Sequence, residues 1–123
     1  MVYPKKLRFD SRSLLLIFAF LSTFFTLPVF PVSAREDMAQ VYFSHALKSK
    51  QEGRLLTAER LFRRAIEMEP DNADYHFELG NLYIEREDLT RAQLEFEQVI
   101  MISPNHLAAH YYLGLVYREL GMM

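Results

Sequence analysis

Histidine is the residue type in this chain with the widest chemistry, because imidazole binds metal ions and exchanges protons near neutral pH. The chain has 123 residues and four histidines. His106 and His110 are four positions apart and would share one helix face. A zinc site needs at least three protein ligands, and no third ligand stands at a matching spacing. His76 and His110 are 34 positions apart and align with Tyr42. We therefore expect these histidines to pack within the fold, and we expect no metal and no cofactor.

Clustered carboxylates could act as general acid and base, which is the other chemistry that the sequence offers. The clusters fall at residues 67–71 and 85–88, which the pattern places at helix ends or turns. Acids in such places are well solvated, and no apolar neighbours are placed to shift their pKa values. The sequence contains no cysteine, no glycine-rich phosphate loop, no GxSxG elbow and no HExxH helix. It therefore predicts a protein that is not an enzyme.

The charge of the chain is divided unevenly. Residues 1–34 carry four basic residues and one acid, a net charge of +3, whereas residues 35–123 carry ten basic residues and fifteen acids, a net charge of −5. Phosphate binding needs a clustered basic surface, which an acidic domain does not supply. The composition thus argues against nucleic acid as the partner.

The N-terminal segment has the composition of a secretory signal peptide. Basic residues precede an uncharged apolar run from Leu14 to Leu27, and the small residues Val32-Ser33-Ala34 follow it. We predict a signal peptide over residues 1–34, cleaved between Ala34 and Arg35, and a mature domain over residues 35–123.

An uncleaved membrane anchor over residues 14–32 is the alternative. A spanning helix needs about 20 apolar residues. The uninterrupted run has 14 residues, and Pro28 and Pro31 would end the helix. Both alternatives predict export, to a periplasm, a thylakoid lumen or the outside of the cell. Membrane contact is expected only through this segment, if it stays uncleaved.

Residues 39–121 repeat themselves at a spacing of 34 positions: a first repeat over 39–72, a second over 73–106 and a partial third over 107–121. The matching residues include Ala46 with Gly80, Ala58 with Ala92, Phe62 with Phe96, Pro70 with Pro104, Gly80 with Gly114 and Tyr83 with Tyr117. Apolar residues recur at helical spacing in each half-repeat, and a proline follows each second helix. The pattern predicts an all-α fold of two helix-turn-helix repeats plus one C-terminal helix. Asp71 or Asn72 is expected to cap the third of these helices, and Asn105 the last.

This pattern resembles the tetratricopeptide repeat family. The family signature is a small residue in the first helix, an aromatic three residues later, an alanine opening the second helix and a proline after it. The resemblance implies a short α-solenoid that binds other proteins without catalysis. The first repeat departs from the pattern at His45 and Ser49, where the other repeats have leucine and tyrosine. That is expected of a terminal unit that faces water.

In this family the first helices of the repeats line a concave groove, and the resemblance places the groove residues by their position in each repeat. They are Phe43, Leu47, Phe77, Asn81, Ile84, Tyr111 and Leu115. An apolar row in a concave surface predicts a site for a peptide or a helix. The alternative is that a small stack buries the same side chains in its own interior.

The partial third repeat is expected to leave one helix face open. That face is formed by Leu113, Val116, Tyr117 and Leu120. We expect a second copy to cover it in a homodimer, since exposed apolar patches usually mark an interface and two-fold dimers are the commonest oligomers. A helix from a different protein, or a truncated chain with nothing to cover the face, are the alternatives.

These observations together predict a non-enzymatic protein–protein interaction module outside the cytoplasm, in the role of an assembly factor for an envelope or membrane complex. A structural oligomerisation unit that uses the open C-terminal face is an alternative. The layout also resembles membrane-anchored repeat proteins that help assemble photosystem I, which implies the same kind of role at a photosynthetic membrane.

Overall fold

The computed structural model of the protein describes residue 12 and residues 32–123. Those residues form five helices and no strand. The helices are α1 (Val32–Gln51), α2 (Leu55–Met68), α3 (Ala73–Glu85), α4 (Leu89–Ile102) and α5 (Leu107–Glu119). The predicted all-α fold of two helical repeats and one further helix is confirmed.

The predicted signal peptide lies outside the described residues, except for Arg12 and its last three residues, which fall in the first turn of α1. Its cleavage and the alternative anchor over residues 14–32 therefore stay predictions. Within residues 32–123, no helix is long and apolar enough to cross a membrane.

Helices pack first within a repeat and then between repeats. α1 packs on α2 and α3 packs on α4, while α3 also contacts α2 and α5 contacts α4. The shared core runs through both repeats. Its largest fully buried side chains are Phe62, Leu79, Leu82, Tyr83, Phe96, Val99 and Val116. Because each helix carries its apolar residues at three- and four-residue intervals, these side chains fall on the faces that meet.

The first helix of each repeat ends in the same way. A residue with positive φ follows the helix at intervals of 34 positions: Gly53 (φ 73°), Glu87 (φ 59°) and Gly121 (φ 70°). The amide of the next residue donates to a carbonyl five residues back, as from Asp88 to Tyr83 at 2.9 Å. This left-handed cap satisfies carbonyls that the helix leaves unpaired. Glycine adopts it freely, whereas Glu87 does so at a cost of about 1 kcal/mol.

Side-chain caps also repeat. Asn72 caps α3 by accepting a hydrogen bond from the amide of Asp74, as predicted. The prediction that Asn105 caps α5 is wrong, because the Nδ1 atom of His106 accepts the amide of Ala109 at 3.1 Å. His106 stands one repeat after Asn72, so the cap keeps its place in the repeat although the residue type changes.

A glycine sets the separation of α3 and α4. A Cβ atom added at Gly80 would lie 2.9 Å from Cε1 of Phe96 and 3.0 Å from its Cζ. Non-bonded carbon atoms prefer separations of about 3.5–4.0 Å. The ring of Phe96, which is fully buried, therefore occupies space that any side chain at residue 80 would need.

The outer face of α1 is polar where the same positions of α3 are apolar. His45 is exposed, while its counterpart Leu79 is buried. Lys48 is likewise exposed and its counterpart Leu82 is buried. The expectation that Ser49 also faces water is wrong, because Ser49 is only 4% exposed. A serine is small enough to stay within the packing of α1 against α2, where its main-chain carbonyl accepts the amide of Arg54.

We predict opposite outcomes for two matched glycine variants. Gly80→Leu should unfold the domain, because the added side chain would collide with the Phe96 ring. Gly114→Leu should leave the melting temperature nearly unchanged, since a Cβ atom at Gly114 meets nothing within 4 Å among the described residues. Phe96→Ala should cost about 3–5 kcal/mol. Thermal and urea unfolding followed by circular dichroism measures all three. Equal stability of the two glycine variants would contradict the predicted packing.

Candidate functional site

Two aromatic residues of the predicted groove are shared between a surface and the core. The ring of Phe43 lies 4.6 Å from that of Tyr75 and 5.7 Å from that of Phe62, centroid to centroid. Phe77 lies 4.9 Å from His106 and 5.8 Å from Phe96. Both rings are half-buried, and Leu47 packs against the core in the same way. Phe43, Phe77 and Leu47 therefore fit better the alternative that a small stack buries these side chains in its own interior than the alternative of an exposed apolar row.

Three other groove residues line two neighbouring depressions on the surface of α3 and α5, which together are called the cleft. Asn81 and Ile84 of α3 lie beside Tyr112 of α5 in a depression of about 290 Å³. Ile84 and Tyr112 also line an adjoining apolar cleft of about 210 Å³, together with Leu115 and Leu89. Asn81 and Ile84 thus line one depression and Ile84 and Leu115 line the other, while their role as a binding groove stays a prediction.

Tyr112 is the cleft residue that the sequence analysis misses. It lies between the two depressions, and its ring stacks on that of Phe96 at 5.7 Å between centroids and contacts Phe77 at 5.8 Å. Its neighbour Tyr111, which the sequence predicts for the groove, is 64% exposed and touches Tyr112 edge to face. The i, i+3 spacing of Tyr112 and Leu115 on one helix face is the sequence signal for this residue.

The rim of the cleft carries an ion-pair cluster between α1 and α3. The Nζ atom of Lys50 lies 3.1 Å from Oε2 of Glu78 and 3.3 Å from Oε1 of Glu85. One ammonium thus faces two carboxylates, which leaves this edge of the cleft with a net negative charge. A segment that docks there would gain from a basic residue near Glu85.

The predicted open face of α5 needs correction. Leu113 is 8% exposed and Val116 is 1% exposed, so both belong to the core and cannot form an accessible interface. They occupy the positions of Leu79 and Leu82 and pack against the preceding repeat. Tyr117 and Leu120 are half-buried. The hydroxyl of Tyr117 donates to Oε1 of Glu97 at 2.8 Å.

Three of the four histidines make hydrogen bonds within the fold. The Nε2 atom of His76 donates to the carbonyl of Pro70 at 2.9 Å, and its Nδ1 atom lies 2.8 Å from Oε2 of Glu95. His110 repeats the first contact, since its Nε2 atom donates to the carbonyl of Pro104 at 2.7 Å. His106 caps α5. Among residues 32–123, no three metal-binding side chains are grouped as a metal site would need.

The clustered carboxylates act as partners for cations, amides and helix ends. Glu67 pairs with Arg64 at 2.7 Å, and Glu69 accepts from the side-chain amide of Asn72 at 2.9 Å. Asp88 caps α4 by accepting the amide of Arg91. A wide cleft of about 800 Å³ between α1 and the α2–α3 turn is also lined by acids, which are the side chains of Glu36, Asp37, Glu69 and Asp71. In the part of the chain that the structure describes, these acids lie at the surface or bonded to a neighbour rather than enclosed in an apolar site.

The sequence of residues 61–94 matches the family model described as tetratricopeptide repeat. The match identifies residues 61–94 as similar to a tetratricopeptide repeat. The chain is similar to human Superkiller complex protein 3, with 31% identity over 93 residues that cover 72% of this chain. It is similar to Tetratricopeptide repeat protein 37 of Xenopus laevis, with 32% identity over 93 residues and the same coverage. The chain spans about 6% of the length of each relative. Repeats of this kind generally form protein–protein interaction modules.

The pair formed by His76 and Glu95 predicts a dependence of stability on pH. The hydrogen bond to Glu95 raises the pKa of His76 above its usual 6.5, with further help from the Pro70 carbonyl and the charge of Asp71, against the opposing effect of burial. Arg63 and Glu67 of α2 line the same small cleft. A group whose folded pKa is raised stabilises the fold below its unfolded pKa, and this contribution is lost as the pH rises through the folded pKa.

We therefore expect the free energy of unfolding to fall as the pH is raised from about 6.5, the ordinary pKa of histidine, through the higher pKa that His76 has in the folded protein. His76→Gln should remove this part of the pH dependence and lower the stability on the acidic side. His110→Gln is the matched control, because His110 makes the equivalent carbonyl contact without a carboxylate partner among residues 32–123. Urea unfolding at a series of pH values measures the effect, and an identical pH profile for His76→Gln and the parent would contradict it.

Proposed function

We propose that the protein is a non-enzymatic interaction module outside the cytoplasm, which binds a partner peptide or helix in the cleft between α3 and α5. The observation that carries the proposal is the cleft itself. Apolar side chains of Ile84, Tyr112 and Leu115 lie side by side along it, and the polar amide of Asn81 lies at one end. Apolar lining with a few placed polar groups is typical of peptide-binding grooves.

The shape and charge of the cleft favour a short amphipathic segment. Its two depressions, an apolar one of about 210 Å³ and a partly polar one of about 290 Å³, have room for a few side chains rather than a folded surface. Glu85 at one rim and Arg118 with Glu119 at the other provide charged groups that can orient the segment. An apolar anchor flanked by polar contacts is the common arrangement in helix and peptide recognition.

The proposed role in assembly rests on the fold and on the relatives. Repeat proteins of this kind present a rigid surface on stacked helices, which suits the holding of a partner during assembly. The human relative carries the name of a complex component. Envelope or membrane complexes are the proposed targets because residues 1–34 have the composition of an export signal.

A photocrosslinking amino acid in place of Leu115 should capture the partner in cells. The side chain lines the cleft, so the reactive group would lie within reach of any docked segment. Leu94 is the matched control, since it is an apolar residue of α4 that is 55% exposed and does not line the cleft. We expect a discrete adduct at residue 115 and none at residue 94, measured by immunoblot and mass spectrometry. Adducts of equal yield at both positions would exclude the cleft as the site.

The proposed location outside the cytoplasm predicts a defined mature N-terminus. The chain recovered from cells should begin with Arg35-Glu36-Asp37, because the small residues before that point suit a signal peptidase. N-terminal sequencing of the protein from periplasmic, luminal and cytoplasmic fractions measures it. Intact Met1 in the membrane fraction would show that the segment is not cleaved and would favour the anchor over residues 14–32. Intact Met1 in the cytoplasmic fraction would contradict export.

A further inference from the structure

Arginine side chains gather where α2 meets the start of α4. A depression of about 650 Å³ there is lined by Leu56, Glu59, Arg60, Arg63 and Arg91. Three guanidinium groups and one carboxylate give this lining a net charge of +2, although residues 35–123 as a whole carry −5. None of these five residues lines the cleft between α3 and α5. This second depression is called the arginine pocket.

A buried tyrosine and a nearly buried glutamate hold two of the guanidinium groups in place. The hydroxyl of Tyr83 donates to Oε1 of Glu59 at 2.9 Å and accepts from Nη2 of Arg63 at 3.0 Å. The ring of Tyr83 lies under the guanidinium of Arg91, with 5.6 Å between the guanidinium carbon and the ring centroid. Groups that are fixed before a ligand arrives lose less conformational freedom when it binds.

The carboxylate at the base of the pocket does not use up the donors around it. Glu59 pairs with Arg63 at 3.3 Å, with Arg91 at 3.5 Å and with Arg86 of the next repeat. Asp88 takes one further donor, the Nε atom of Arg91, at 3.4 Å. A carboxylate accepts about four hydrogen bonds, whereas every guanidinium carries five N–H donors in a fixed fork. Within residues 32–123, these acids therefore leave donors of Arg63 and Arg91 for a further anion.

The charge of Arg60 is not offset by an acid in the described part of the chain. Its side chain is exposed, and it forms no ion pair with an acid of residues 32–123. Glu67 and Glu95 lie on the other side of Arg63, where they line a separate small depression. Both of these acids are engaged by partners of their own. The surplus positive charge of the pocket thus lies at its exposed edge.

We propose that the arginine pocket binds an acidic segment of another protein, with its carboxylates on Arg60 and Arg91 and an apolar side chain against Leu56. Guanidinium groups pair with carboxylates through two parallel hydrogen bonds, which suits arginine to this role better than lysine. Leu56 is 68% exposed beside them, so an apolar residue among the acids would remove further apolar surface from water. This site is additional to the cleft and does not depend on it.

A protein segment fits the pocket better than an anionic membrane. A membrane is an extended surface that would meet the acids of the domain along with its arginines, and residues 35–123 carry a net charge of −5. Charges are screened over about 8 Å at physiological ionic strength. A narrow segment seated in the pocket is therefore attracted by the arginines next to it, while the more distant acids repel it little. Free phosphate would make no apolar contact with Leu56.

A labelled synthetic peptide in which pairs of glutamate alternate with leucine serves as the probe. The same peptide with glutamine in place of glutamate is its control. Fluorescence anisotropy with the full chain should give saturable binding of the acidic peptide, which weakens as the salt concentration is raised, and no binding of the glutamine peptide.

Two arginines that stand close together on α2 provide matched variants. Arg60→Gln should weaken binding by about threefold, the effect of one exposed ion pair, and Arg60→Gln combined with Arg91→Gln should weaken it by about tenfold or more. Arg64→Gln should leave the affinity unchanged, because Arg64 pairs with Glu67 and does not line the pocket. Arg60 makes no ion pair within residues 32–123, so its replacement should preserve the fold, which circular dichroism checks.

Equal affinity of the parent and Arg60→Gln would overturn the proposal, and so would equal weakening by Arg64→Gln. The peptide would then be held by the net charge of the chain or by the basic residues among residues 1–34. Sedimentation with phosphatidylglycerol vesicles and competition by inorganic phosphate test other anions. Vesicle binding that Arg60→Gln abolishes, without binding of the peptide, would assign the pocket to a membrane instead. Displacement of the peptide by an equal concentration of phosphate would contradict a site built for a protein segment.

Discussion

The position of the Phe96 ring against the backbone of α3 at Gly80 determines how closely the two helices of the second repeat approach. With a ring atom 2.9 Å from the place of a Cβ, no side chain larger than hydrogen fits without a shift. The close approach in turn brings His76 to Glu95 and Tyr83 beneath Arg91. It also sets the ring of Phe96 where Tyr112 of the next helix stacks on it. The interior of one repeat thus fixes the place of the next helix, and with it one wall of the cleft.

Hydrogen bonds and ion pairs between repeats restrict how the apolar faces can pack on each other. Glu59 of α2 is nearly buried, and it accepts the hydroxyl of Tyr83 at 2.9 Å and pairs with Arg86 of the following repeat. Glu97 of α4 accepts the hydroxyl of Tyr117 at 2.8 Å in the same way. Burial raises the pKa of Tyr83, so the hydroxyl stays a donor to the carboxylate. Each tyrosine reaches back one repeat, and such bonds have angular requirements that apolar contacts lack. They therefore favour one register of stacking over its neighbours.

The sequence predicts most of the fold because the same pattern of small, aromatic and proline residues recurs at a spacing of 34 positions, so each repeat supports the helix assignment of the others. It predicts that a proline follows each second helix, and Leu55–Met68 and Leu89–Ile102 end two residues before Pro70 and Pro104. The prediction fails at positions where several residue types can play the same structural part. A cap needs only an acceptor at the right place, so His106 replaces the expected Asn105. Burial at Leu113 and Val116 depends on the preceding repeat, which helical periodicity within α5 alone does not reveal. Tyr112 escapes prediction because its contacts belong to three helices.

The two ends of the stack are chemically different, and this difference bears on function. On α1 the positions that pack against a preceding repeat carry His45 and Lys48, whose polar groups favour water. On α5 the positions that face a following helix carry the same histidine, glycine and tyrosine as the occupied face of α3. The cleft lies partly on α5, so the last described helix is a part of the molecule on which the proposed contact in the cleft depends.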